Sequence, residues 1–149
     1  MIESIFQPIV LAALSVASIA GAMAWSLIQR QGPERSRRWL ALLTLPGLLA
    51  LVSFYSLAVH MHIRLSGWPE RIGTDGFPPD LITHDGISTG LFSVALVLAL
   101  CMPAVLVLHA LVPRLRSNMI YPAFCGTACW LCLALTALAP AGFLKWWWD

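Results

Sequence analysis

Four apolar stretches, at 6–28, 39–63, 88–112 and 121–144, each exceed 20 residues and contain no Asp, Glu, Lys or Arg. At 1.5 Å rise per residue, about 20 helical residues cross a hydrocarbon core of about 30 Å. Backbone groups in lipid must be satisfied within the protein, so each stretch reads as a helix. None shows the strict alternation over about ten residues that marks a transmembrane barrel strand. The expected fold is all-α: one polytopic membrane domain over 1–149, a bundle of four transmembrane helices with an ordered outer loop between the second and third.

Composition agrees with this reading. Only 11% of the 149 residues are charged, against about 25% in soluble domains. The net charge of +2 gives no reason to expect nucleic acid as a partner. Membrane lipid is the expected surrounding, with a homo-oligomer or a larger membrane complex as the expected assembly. Ala20-Gly21-Ala22 has the small-residue pattern of a signal-peptidase site. The residues before the first stretch hold Glu3 and no basic residue, so a retained helix is expected there.

The basic residues set an orientation. Connections 29–38 and 113–120 carry Arg30, Arg35, Arg37, Arg38, Arg114 and Arg116. The opposite side has Arg64, Arg71 and Lys145. Short Arg-rich loops stay in the cytoplasm. Both termini and the long loop 64–87 are therefore expected outside. Trp39, Trp68 and the Trp146-Trp147-Trp148 run read as interfacial anchors.

Several features bear on packing. Ala13, Ala17 and Gly21 make a small-residue ridge on the first stretch. Pro46, Pro103 and Pro140 each remove one helix hydrogen bond. Cys101, Cys125, Cys129 and Cys132 all lie inside stretches and read as small packing residues rather than disulfide partners. On the second stretch Ser53, Ser56 and His60 form one polar stripe, with Arg64 one turn further on. It is read first as packing and second as a solute or proton path.

The long loop holds the residues with most chemistry. His60 and His62 close the second stretch, and His84 precedes the third, with Asp80 and Asp85 beside it. Trp68, Pro69, Phe77, Pro78 and Pro79 suit an ordered cap; Pro79-Asp80 suits the start of a short helical turn, and Thr83 or Asp85 is the expected N-cap of the third helix. Imidazole and carboxylate together suit Zn²⁺ or Cu²⁺, and two facing histidines suit haem. Against a joint site, His60 and His62 point about 200° apart on a regular helix. His109 lies about 37 Å along the helix from His84, at the other membrane face.

The run His62-Ile63-Arg64-Leu65-Ser66-Gly67-Trp68-Pro69, followed by His84, resembles small multi-pass bacterial membrane proteins with a His-x-Arg-Leu and Trp-Pro loop. The resemblance implies a bacterial inner (plasma) membrane and a four-helix layout, and carries no activity.

The leading expectation is a non-enzymatic accessory or structural subunit without a cofactor. His60 and His84 would then make structural hydrogen bonds. The alternative is a redox component that binds Zn, Cu or haem through His60, His62 and His84. A small facilitated transporter is a third reading. Ion-coupled carriers need an ionisable group inside a span, and the four stretches have no carboxylate or Arg/Lys side chain there.

Overall fold

The computed structural model describes residues 34–69, 74–115 and 118–148, with side chains of the first helix described from Arg38 onward. The described residues are all-helical. The elements are α1 (Glu34–Leu65), α2 (Pro79–Leu111), α3 (Ile120–Thr136) and α4 (Ala141–Trp148). The first apolar stretch, 6–28, lies outside the described residues, along with its small-residue ridge.

Two helices, α1 from Arg38 and α2, are long and apolar enough to cross a membrane, and α3 with α4 qualifies as a third span if counted together. The 33 residues of α2 extend roughly 50 Å, longer than a hydrocarbon core. The helix begins at Pro79, not at Ser88 as the hydropathy pattern suggests. Pro79 occupies the first helical turn, where its missing N–H is no loss, and Asp80 beside it favours the helix dipole. Neither Thr83 nor Asp85 is the cap. Pro78 precedes the helix without a side-chain hydrogen bond, and Thr83 Oγ1 donates to Pro79 O at 2.9 Å within it.

The fourth stretch differs more. Where one helix over 121–144 was expected, the chain breaks between Thr136 and Ala141 and turns by 114°. Pro140 has no N–H for the carbonyl four residues back, and it disfavours helical geometry in the residue before it. The last turn of α3 tightens instead, with Ala139 N donating to Thr136 O at 3.1 Å. Tyr55 OH on α1 donates to Leu135 O at 2.8 Å, so a side chain from a neighbouring helix supplies a donor at the broken helix end.

Contacts along the chain define the bundle. Residues from the end of α1 meet the start of α2, so these helices are antiparallel; Trp130 of α3 meets Ala99 of α2 in the same antiparallel sense. Gly126 lets α2 and α3 close up, since a Cβ there would fall inside the Met102 side chain. The close approach at this point depends on a small residue, as is common where lipid offers no hydrophobic drive to association. A core of Ala50, Ala95, Ala99 and Cys129 fills the middle of the bundle.

Pro103 explains another cross-helix contact. Its missing N–H is the one that would bond the carbonyl of Ala99. Trp130 Nε1 donates to Ala99 O at 3.0 Å. We expect Trp130→Phe to destabilise the bundle by about 1 kcal/mol. In a Pro103→Ala background the same change should do little, because the alanine N–H restores the helix bond. Unfolding of the four proteins of this cycle, in one detergent, checks both expectations; equal costs in the two backgrounds would contradict them.

A histidine pair at the capped end of the bundle as candidate functional site

α4 folds across the end of the bundle where α1 stops and α2 begins. Its Phe143 is fully buried against Phe54 of α1, with ring centroids 5.0 Å apart. Trp147 meets the same Phe54 ring edge-on at 5.0 Å, and Phe92 of α2 at 5.7 Å. The connecting turn adds Phe77, 5.8 Å from Trp146, and Trp68, 6.0 Å from Phe143. Gly142 permits the Trp68 approach, because a Cβ at that position would strike the indole. Aromatic pairs of this kind each contribute about 0.5–1.5 kcal/mol beyond area burial.

This aromatic cap holds Trp68 and Phe77 half-buried, and residues 70–73 of the loop lie outside the described residues. The cap's main source was not expected. The Trp run was read as interfacial anchors, yet Trp146 is buried and Trp147 half-buried within the cap. Trp148 is the most exposed of the three. The 114° turn at Pro140 redirects them inward.

Beside this aromatic cap runs a polar row. The stripe Ser53, Ser56, His60, Arg64 turns its whole length toward α2. Ser53 Oγ lies 2.7 Å from Ser88 Oγ, and Ser88 also donates to Ser53 O at 3.2 Å. Ser88 is fully buried. Ser56 Oγ lies 3.0 Å from His84 Nε2 and donates to Ser53 O at 2.9 Å. His84 Nδ1 and His60 Nδ1 are 2.9 Å apart. His60 Nε2 faces Asp80 Oδ2 at 3.3 Å. Arg64 Nε donates to the same oxygen at 3.0 Å, with its Nη2 also on that atom. A period of 3.6 on α1 and antiparallel pairing with α2 suffice to produce this row.

The structure joins two of the three histidines singled out from the sequence. His62 lies apart, its ring tilted over Trp68 at 4.7 Å. This is the outcome the two-residue spacing requires on an unbroken helix, and α1 is unbroken to Leu65. His109 lies elsewhere on α2, with its Nδ1 2.9 Å from Val105 O of the same helix.

This geometry bears on the cofactor readings. The His60 and His84 rings have centroids 5.2 Å apart and touch through their Nδ1 atoms. A porphyrin plane between them would need the rings driven apart. Asp80 approaches His60 through the nitrogen opposite the one facing His84. The three side chains cannot ligate one ion as they stand. Among the described residues no three His, Cys, Asp or Glu side chains are grouped to hold a metal.

One spacing in α3 was passed over in the sequence. Cys129-Trp130-Leu131-Cys132 is a C-x-x-C run, a spacing found in redox and metal sites. Here both thiols are buried in a helix interior against α1, where Cys132 Sγ packs at Gly47. Both are free cysteines, packed between α3 and α1.

No protein family, characterised protein or solved structure matches the chain.

We expect protein purified without chelator to carry no stoichiometric zinc, copper or iron. Elemental analysis of the wild type beside His60→Ala and His84→Ala checks this. One equivalent in the wild type that disappears in either variant would establish a metal site at the pair.

Proposed function

We propose that the chain is a four-span protein of a bacterial inner membrane that serves as a non-enzymatic accessory or structural subunit. The stretch 6–28 supplies the first span, and α3 with α4 the last. The Arg-rich connections 29–38 and 113–120 lie inside, and the capped end lies outside.

The observation that carries the subunit reading is how the polar groups are used. Ser53, Ser56, His60, Arg64, Asp80, His84 and Ser88 are all engaged with one another along the α1–α2 seam. Among the described residues no buried side-chain nitrogen or oxygen lacks a partner. Such a seam favours rigid packing over a solute path. The outward faces of α1 and α2 are apolar, with Leu42, Leu49, Val52, Val94, Val97 and Leu100 exposed. Gly86 and Gly90, one turn apart, have open space where a side chain would stand. Faces of this kind suit lipid and closely packed partner helices.

Two measurements test the proposal. Single cysteines at 35, 75 and 115, in a background lacking the four native cysteines, should label from outside only at 75. Labelling at 35 and 115 with protection at 75 would invert the topology. Native mass spectrometry from mild detergent should show the chain in a larger assembly, as a homo-oligomer or with a second chain. Monomer alone across detergents would contradict the subunit reading.

A further inference from the structure

The hydrogens in the row Ser56–His84–His60–Asp80 can be counted. Asp80 accepts from Arg64 and has no hydrogen to give, so His60 Nε2 carries the hydrogen of that contact. A neutral His60 ring then leaves Nδ1 as an acceptor. The 2.9 Å contact requires a hydrogen on His84 Nδ1. His84 Nε2 now has two options. If bare, it accepts the Ser56 hydroxyl hydrogen. If protonated, it donates to Ser56 Oγ, and Ser56 turns its own hydrogen to Ser53 O, 2.9 Å away.

Ser56 therefore has a partner for either state. The row accommodates zero or one added proton with no heavy atom displaced. A second added proton has no such place. It would set two Nδ1–H groups against each other at 2.9 Å between two cationic rings.

We propose that His60 and His84 form a single-proton binding site that ties the capped ends of α1 and α2 together, and that a second proton opens this tie in acid. On the expected topology the site faces the exterior, where it would sense external pH. This rests on the pair's geometry and not on the subunit reading.

The surrounding charges fit a one-proton site. Arg64 on α1 and Asp80 on α2 compensate each other in direct contact. On His84, the ring assigned the first proton, burial and the neighbouring His60 act against the charged form and Asp85 on α2 acts in its favour. α3 contains no charged residue, α4 contributes Lys145, which is exposed, and the turn contributes Asp75, also exposed. Glu70 and Arg71 lie outside the described residues. His62 faces Trp68, away from the pair.

The row does not cross the bundle. It ends at Ser53 and Ser88, and no described side chain extends it toward the other face. The site is thus a terminus that takes up a proton, not a wire that conducts one.

The test is nitrogen-15 NMR of the histidine rings in the full chain in lipid nanodiscs, titrated from about pH 8 to about pH 4. Spin labels at positions 59 and 87 report the α1–α2 distance over the same range. The expected result is a coupled pair: one ring protonates first, and the other resists until the pH is at least about one unit lower. The label distance should widen only with this second step. In His84→Gln, His60 should titrate in one uncoupled step and the distance step should vanish. Two independent and coincident titrations, or a constant distance through both steps, would overturn the proposal. So would addition of one equivalent of Zn²⁺ at neutral pH shifting both rings, since that would assign the facing nitrogens to a metal.

Discussion

A helix in hydrocarbon has no water to complete its hydrogen bonds, and the rest of this structure follows from that constraint. At two places where a proline interrupts the helix hydrogen bonds, another helix supplies a donor. Pro103 frees the carbonyl of Ala99, and the Trp130 indole of α3 meets it at 3.0 Å. The break before Pro140 disturbs the end of α3, and Tyr55 of α1 reaches Leu135 O. Both contacts fix the rotation and height of α3. Apolar packing alone sets neither firmly, because lipid tails are as apolar as leucine.

The α1–α2 seam applies the same logic to side chains. Serine and histidine on a lipid face would be unsatisfied, so the stripe turns inward and pairs across the seam. Ser88 is buried only because Ser53 offers both a hydroxyl and a carbonyl. Toward the capped end the pairs become more polar, from hydroxyls to imidazoles to the Arg64–Asp80 ion pair. That gradient matches a helix end passing from hydrocarbon to water. It also leaves two imidazoles in contact where solvent protons can reach them, since His60 is only half-buried.

Much of this was legible in the sequence, for identifiable reasons. The stripe Ser53, Ser56, His60, Arg64 was visible because its spacing is the helix period, and the His60–His62 separation follows from the same geometry. The partners were not legible. Nothing in a single sequence ties Trp130 to Ala99, because the bond needs two helices at a particular height. The start of α2 was misread because Asp80, Thr83 and Asp85 look like a loop; the helix runs on past the apolar segment. Pro140 marked a bend, but its 114° angle depends on where the aromatic face of α4 finds Phe54 and Phe92. The C-x-x-C run of α3 was in plain view and lies buried against α1.

The register of α1 against α2 underlies both the rigid seam and the histidine pair. Disulfide trapping in native membranes measures it most directly, with cysteines at 53 and 88 in a background lacking the native four. The hydroxyl oxygens at these positions lie 2.7 Å apart. Rapid, near-complete cross-linking at 53–88 is therefore expected, with none for a control pair at 52 and 88, since Val52 points outward. Cross-linking at 52–88 in preference to 53–88 would mean a different face of α1 meets α2, and the account of the seam would be wrong.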